Sequence, residues 1–276
     1  MQNRTIKIIL ASILVFIIVA LTGILVFALT HRSFSFSYFW HSGKSEIIEE
    51  STYAINEVQN IKVNTRSADV KFVSTDSNEI KVTVYGDKEA KPNVSLENGR
   101  VFVDYVYSYF CIGFCFDHSY VEITVPKNYS PKIDVTTVSG DVALPLSGTD
   151  LSVKTTSGDI EIDSFKDVNV SSVSGDIKLR SGNNINIDTT SGDITIHNVL
   201  SFINAESISG EIRIDSLEIY QDSKLKTVSG DVDIKSINDI FVEASTKSGD
   251  IDIRQNNRLS ATVLTINTIS GDVDVD

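Results

Sequence analysis

Apolar and polar residues alternate with a period of two through the second half of the chain, around a tripeptide Ser-Gly-acid that occurs eight times. The third and fifth residues after each Ser of this tripeptide are Ile, Val or Leu, and the fourth is polar except at Ala143. The fourth residue before each Ser is also apolar. Because such alternation is typical of half-buried strands, each repeat predicts a strand, a Ser-Gly bend, a second strand and a loop of variable length.

The bends recur at intervals of 17 to 22 residues. A unit this short cannot bury its own apolar side, so the repeats must stack on one another. Stacking with equivalent strands about 4.8 Å apart predicts an all-β fold, a single-stranded β-solenoid of short coils over residues 133–276. The Gly and acid of the eight bends are Gly140, Asp141, Gly158, Asp159, Gly175, Asp176, Gly192, Asp193, Gly210, Glu211, Gly230, Asp231, Gly249, Asp250, Gly271 and Asp272.

Two further columns accompany the bends. A Thr or Ser stands two residues before the Ser of every bend, and we expect these hydroxyls to bond backbone groups at the corner. The acids would repel one another at the coil spacing, so we expect each carboxylate to accept backbone N–H groups of its own bend. Calcium sites are the alternative. The Gly-Gly-x-Gly-x-Asp repeat of calcium-binding β-rolls is absent from the sequence, which favours no metal and no cofactor.

Residues 56–132 predict an N-terminal β module. Residues 61–72 follow the apolar columns of the repeat, with Ala68 in place of Gly. Alternating strands are predicted over residues 80–85, 100–107 and 120–125, and Asn98-Gly99 predicts a hairpin turn between the first two of them. Such a module would cover the apolar end of the solenoid.

Residues 8–29 contain no charged side chain and are long enough, at 1.5 Å per residue, to cross about 30 Å of hydrocarbon. They predict one transmembrane helix. Residues 1–7, with Arg4 and Lys7, are then a cytoplasmic tail, because basic flanks favour the cytoplasm. Residues 30–55 are a juxtamembrane linker, and residues 33–276 lie outside the cytoplasm. A cleaved signal is the alternative, but the bulky Phe27 and Leu29 favour an uncleaved anchor in the lipid bilayer.

Residues 105–120 concentrate aromatic side chains around the two cysteines of the chain. In an extended strand Cys111 and Cys115 would be about 13 Å apart, so a disulfide between them requires a turn. We predict this disulfide, with a metal site that includes His118 as the weaker alternative. The aromatic side chains belong either to the core or to an exposed loop. Candidates for partner contact in such a loop are Tyr107, Tyr109, Phe110, Phe114 and Phe116.

Charge and motifs exclude several classes of function. The net charge of −13 argues against nucleic acid, whose phosphates require Lys and Arg. None of the four His lies in a metal-binding or nucleophile–base motif, and the sequence has no P-loop, Rossmann motif or Gly-x-Ser-x-Gly. We therefore expect no enzyme activity, with a carbohydrate-active β-solenoid enzyme as a minor alternative.

Three motifs carry a resemblance to a known family. They are the repeated Thr-x-Ser-Gly-Asp-Ile-x-Ile units, Asn-Ile-Lys-Val-Asn-Thr-Arg-Ser-Ala-Asp-Val-Lys-Phe at residues 60–72, and Val-Glu-Ile-Thr-Val-Pro-Lys at residues 121–127. Over about residues 55–276 the chain resembles the bacterial putative-adhesin family, a β-strand-repeat domain of unknown function. The resemblance implies an anchored cell-envelope protein, with some members tied to envelope-stress signalling, and it brings no catalytic residues.

From this resemblance we expect a single-pass membrane protein at the cell surface. Its extracytoplasmic β-solenoid would act as an adhesin-like binding module or an envelope-stress-related interaction module, with an envelope protein or polymer as partner. The alternative is a self-assembling scaffold. The chain stops one residue after the inward Val275, and an uncovered coil edge can pair with another chain. This alternative predicts a homo-oligomer joined through the C-terminal coil.

Overall fold

A computed structural model describes residues 40–42, 46–106, 114–116, 119–218, 221–235, 237–238, 240–254 and 262–276. For residues 40–42, 114–116, 237–238, 240–241 and 262–264 it describes the backbone alone. Within these ranges the chain is all-β apart from a 3-10 turn at Ile55–Glu57. No helix among them has the length and hydropathy to span a membrane. The predicted transmembrane helix, residues 8–29, lies outside the described residues.

The strands fall into two compact units. In the first, β1 pairs in parallel with β8, and the second holds the other strands. In chain order the strands are β1 (Trp40–Ser42), β2 (Glu46–Ala54), β3 (Asn60–Thr65), β4 (Asp69–Thr75), β5 (Glu79–Gly86), β6 (Asn93–Glu97), β7 (Arg100–Tyr105), β8 (Phe114–Phe116), β9 (Tyr120–Pro126), β10 (Lys132–Thr136), β11 (Val142–Lys154), β12 (Ile160–Ser171), β13 (Ile177–Ser191), β14 (Ile194–Ser209), β15 (Ile212–Glu218), β16 (Ser223–Lys226), β17 (Val232–Ile234), β18 (Ile237–Asn238), β19 (Ile240–Ser245), β20 (Ile251–Ile253), β21 (Thr262–Asn267) and β22 (Val273–Val275).

The larger unit is a single-stranded β-solenoid of about seven turns. Its coils stack through parallel, in-register pairing, so that Ile160 lies opposite Ile177 and Ile177 opposite Ile194. The third and fifth residues after each bend Ser, from Val142 to Ile253, are at most 2% exposed. Burying one such side chain contributes about 1.5–3 kcal/mol. The repeated aliphatic columns therefore form the continuous core that holds the coils together.

The predicted variable loop is wrong for the central coils. There β11, β12, β13 and β14 run unbroken for 12 to 16 residues, from the second strand of one repeat through the predicted loop and into the first strand of the next repeat. The eighth residue after the bend Ser supplies a further inward column, in which Phe165, Val199 and Leu217 are at most 3% exposed. A Cβ on Gly148 would lie 2.2 Å from the Phe165 ring. The ring thus fills the space that a side chain at residue 148 would need.

The degenerate repeat at residues 61–72 lies in the stack as the sequence indicates. Ile61 is opposite Ile133, and Val70 is opposite Val142. A further coil without Ser-Gly-acid, missed by the sequence reading, is built from β7 and β9, which pair in parallel with β3 and β4. The order of coils in the stack therefore differs from their order in the sequence.

Antiparallel strands adjoin the coil built from β7 and β9, which is the first coil of the stack. β6 pairs with β7, β5 with β9, and β2 with β5. The turn Asn98-Gly99 has positive φ at both residues, 50° and 75°, as a two-residue hairpin turn requires. It joins β6 to β7, not residues 80–85 to β7 as predicted. The sequence analysis did not predict β6, because the segment from Pro92 to the turn has only two residues, Val94 and Leu96, that follow the alternating apolar pattern.

Candidate functional site

Successive coils approach one another closely at the glycines of the bends. A Cβ on the Gly of any bend would lie 2.0–2.4 Å from the carbonyl oxygen of the equivalent residue one coil earlier. Gly140, for example, meets the carbonyl oxygen of Ala68 at 2.1 Å. In the degenerate repeat, Ala68 stands at the position of the bend Gly. Close approach between coils is thus the reason for Gly.

The acids of the bends form a hydrogen-bonded ladder along the solenoid. The Oδ1 atom of one Asp accepts the backbone N–H of the acid in the next coil, as from Asp159 to Asp141 and from Asp176 to Asp159, both at 2.9 Å. The predicted acceptance of backbone N–H is confirmed, but the donor belongs to the next coil and not to the same bend. Glu211 departs from this arrangement, since its carboxylate pairs with Arg213. The acidic column therefore links neighbouring coils at the bends.

Substitution of Asp176 tests this role. Its Oδ1 accepts the N–H of Asp193 at 3.1 Å. Asp176→Ala is expected to lower the free energy of unfolding by about 0.5–1.5 kcal/mol, since the bond is lost. Asp176→Asn keeps an acceptor oxygen and removes one of a column of like charges, so we expect little loss or a small gain. Chemical denaturation of both variants measures the difference, and equal losses would contradict the ladder.

The hydroxyl column before the bends satisfies backbone groups at only some coils. Thr137 accepts the N–H of Gly140 at 3.1 Å, and Thr246 donates to the carbonyl oxygen of Gly230 at 3.1 Å. The hydroxyls of Thr155, Thr189 and Ser207 are buried without a hydrogen-bond partner among the described residues. The prediction that these hydroxyls bond backbone groups is therefore wrong at these three coils.

Charged side chains on the outward positions pair from coil to coil. Lys235 lies 2.7 Å from Asp215, and Lys224 lies 2.9 Å from Glu206. The bond from Lys235, and then that from His197, holds the pKa of Asp215 below its usual value, and Lys224 lowers the pKa of Glu206. All these groups are in contact with water, where such pairs contribute little to stability. In the described part of the chain, no three His, Cys, Asp or Glu are placed to hold a metal ion.

Most of the predicted loop site lies outside the described residues. Tyr107, Tyr109, Phe110 and Cys111 lie outside the described residues, and Phe114, Cys115 and Phe116 form β8, of which only the backbone is described. The disulfide and the partner contact there stay predictions. The structure adds that this stretch of sequence joins β7 to β9, the two strands of the coil that lacks Ser-Gly-acid.

The last coil leaves its apolar column uncovered. Val273 and Val275 are 46% and 42% exposed, whereas the equivalent Ile251 and Ile253 one coil earlier are 1% and 0% exposed. Ile269, beside the last bend, is 80% exposed. Asp274 lies between the two valines of β22, and Asp272 and Asp276 flank the strand. Such charges reduce edge-to-edge pairing of exposed strands.

A groove that the sequence analysis missed lies on the outer side of β6, β7 and β3. Its volume is about 360 Å³. The half-buried Phe102 is central to it, with Ser95 opposite on β6 and Lys62 opposite on β3. The groove is lined by Lys62, Asn64, Asn93, Ser95, Glu97, Phe102, Val103 and Asp104. The only sequence signal was an aromatic residue at an outward position of a strand, and its neighbours come from distant segments.

Comparisons with known proteins support the resemblance drawn from the sequence. A putative adhesin and a putative lipid binding protein, both from Parabacteroides distasonis ATCC 8503, have similar structures, with TM-scores of 0.50 and 0.51. Each is 14% identical, and each alignment covers 85% of this chain and 98% of the other. A putative adhesin from Bacteroides fragilis NCTC 9343 is 15% identical over 85% of this chain and 98% of its own, with a TM-score of 0.46.

Identities this low show a shared fold and nothing of function. No curated protein matches the sequence. The Toastrack DUF4097 family matches residues 58–276, which include both degenerate coils and all eight bends. The match covers most of the chain, so this protein belongs to the Toastrack DUF4097 family.

Proposed function

We propose that the protein is a membrane-anchored bacterial cell-surface protein whose β-solenoid is an adhesin-like binding module for an envelope protein or polymer. One observation carries the proposal. Parallel, in-register strand pairing, as between β12 and β13 and between β13 and β14, places equivalent outward side chains at a regular spacing along many coils. Extended surfaces of this kind are what repeat proteins use for binding. The structure from Parabacteroides distasonis that is named as a putative adhesin has this same fold.

The location and the class of protein are part of the proposal. Residues 8–29 anchor the chain in the bilayer, with residues 33–276 outside the cytoplasm, for the reasons of charge and length given above. The module either binds the envelope itself or takes part in envelope-stress signalling. We expect no catalysis, since the sequence has no catalytic motif and the described interior of the solenoid is filled mainly by aliphatic side chains.

Crosslinking in living cells tests the proposal. The full-length protein would be crosslinked through its lysines in its native membrane, and the adducts identified by mass spectrometry. We expect adducts with a different envelope component at outward lysines of the solenoid such as Lys178 and Lys224. Absence of any adduct with another component, under conditions in which a known envelope complex is captured, would contradict it.

A self-assembling scaffold is the second candidate. The exposure of Val273 and Val275, at 46% and 42%, favours it, because these residues present to solvent the column that each other coil buries against its neighbour. Acids on the same strand oppose association of two such edges, so we expect it to strengthen with salt. In the crosslinking experiment it predicts adducts at multiples of the chain's own mass, joined near residues 260–276.

A further inference from the structure

We infer that the groove around Phe102 binds a neutral saccharide. The inference deepens the proposed binding function and rests on it, since it names one site and one class of ligand on the solenoid. Three properties of the groove carry it: an aromatic ring surrounded by hydrogen-bonding side chains, charges of the lining that cancel once the adjacent Arg100 is included, and a rigid backbone beneath.

The register of the three strands places polar side chains around Phe102. Ser95 and Lys62 lie opposite it on either side, and Arg100 and Asp104 flank it along β7. Diagonal to it are Glu97, Asn93, Asn60 and Asn64. Inward-facing Val103 is 1% exposed, so the backbone under the ring is fixed by the core. The Arg100 guanidinium lies 5.6 Å from the ring centroid, a cation–π contact that restricts the ring.

These side chains suit a sugar ring. A pyranose has one face of C–H groups, which packs against an aromatic ring, and a rim of hydroxyls that both donate and accept hydrogen bonds. The Nδ2 of Asn64 donates to the Oδ1 of Asp104 at 2.8 Å. This bond orients both side chains and leaves the amide oxygen and the second carboxylate oxygen able to accept from hydroxyls. Asn93 and Ser95 add a side-chain amide and a hydroxyl on the opposite side of the ring.

The charges around the ring favour a neutral ligand. Lys62 and Arg100 are balanced by Glu97 and Asp104, although the whole chain has a net charge of −13. A polyanion would meet two carboxylates here, and a lipid chain would find a single half-buried ring as its apolar surface. The volume of about 360 Å³ is at the lower end of the range of about 300–1,000 Å³ typical of small-molecule sites. It therefore accommodates one or two sugar units of a longer polymer.

Calorimetric titration of the full-length protein tests the inference. The protein would be kept in a detergent without a sugar headgroup, and the probes would be cellohexaose and chitohexaose, with a hyaluronan hexasaccharide as the anionic comparison. We expect at least one neutral hexasaccharide to bind. Phe102→Ala is expected to weaken that binding about tenfold or more, because aromatic side chains dominate such contacts.

Two further variants separate binding from folding. Phe202→Ala is the matched control, since Phe202 is also half-buried at an outward position of a strand, β14, but lies outside the groove. It is expected to bind like the wild type. Asn93→Ala removes an exposed amide from β6 and is expected to weaken binding several-fold with an unchanged melting temperature.

Three results would overturn the inference. They are no binding of either neutral probe at millimolar concentration, unchanged affinity in Phe102→Ala, and tighter binding of the anionic probe. Loss of the saccharide site would leave the general binding function intact if crosslinking still captured an envelope component. Absence of such adducts would instead contradict the binding function itself.

Discussion

Gly158→Ala is expected to destabilise the solenoid by about 3 kcal/mol or more. For a domain of this size that corresponds to a fall in melting temperature of about 6–12 °C. The substitution adds one methyl group at a bend. A similar substitution at a surface position commonly changes stability by about 0.5 kcal/mol or less, so the expected loss must come from the contact between coils.

The contact that Ala would make is with backbone that cannot move aside. The new Cβ would lie 2.3 Å from the carbonyl oxygen of Gly140 and 2.9 Å from its carbonyl carbon. The spacing of the two coils is fixed on either side of the bend. Ser157 donates its N–H to Val138 at 2.8 Å, and Asp159 donates its N–H to the Asp141 carboxylate at 2.9 Å. Relief of the clash therefore requires these bonds to lengthen or break.

Thermal unfolding of the full-length protein, followed by circular dichroism, measures this effect. Thr156→Ala is the control. Thr156 is exposed on the same bend, and its side chain makes none of the hydrogen bonds described between this coil and its neighbours. We expect its melting temperature to match the wild type. If Gly158→Ala had the same melting temperature as Thr156→Ala, close approach between coils would not be the reason for the glycine.

The aliphatic columns could be predicted because each coil repeats the same local pattern. Ile160, Ile177 and Ile194 stand at the same distance after their bends, and the period of two fixes the side of the strand on which each lies. Stacking of equivalent positions then follows from the need to bury them. The sequence therefore contained the register of the solenoid from the first to the last bend.

Features made by contacts between coils could not be predicted in the same way. Gly148 is explained by the Phe165 ring of the next coil, and nothing in the residues adjacent to either position indicates the contact. The carboxylate of Asp141 was expected to bond its own bend, but its partner is the N–H of Asp159. Local pattern gives the side of a strand, whereas donors and van der Waals partners come from the neighbouring coil.

The first coil and its groove were missed for a topological reason. β7 and β9 stack on β3 and β4, although the segments are about 40 to 50 residues apart in sequence. No Ser-Gly-acid lies between them, so the strongest signal of a coil is missing. Phe102, between Ser95 and Lys62, therefore gave no sign of a site until the pairing of the three strands was known.

Ile177→Ala is expected to lower the free energy of unfolding by about 3–5 kcal/mol, the upper part of the range for such substitutions. Ile177 is 0% exposed and lies in register between Ile160 and Ile194. The cost of a cavity depends on how far its surroundings can collapse. Here the parallel ladders on both sides keep the coils apart, so the neighbouring side chains cannot close the gap.

Two variants of exposed residues provide the comparison by chemical denaturation. Ile269→Ala deletes the same atoms from a side chain that is 80% exposed. Val273→Ala shortens a side chain in the same column as Ile177, but Val273 lies in the last coil and is 46% exposed. We expect each to cost about 0.5 kcal/mol or less. A loss at Ile269 as large as that at Ile177 would mean that coil stacking is not what makes the core substitution costly.

The result at Val273 also distinguishes the two candidate functions. If the exposed column of the last coil stays in contact with water, Val273→Ala is nearly neutral at every protein concentration. If a second copy covers that column, the substitution becomes costly, and its cost grows with protein concentration because association stabilises the folded chain by mass action. A concentration-dependent loss at Val273 would therefore favour the self-assembling scaffold, and a constant small loss the binding module.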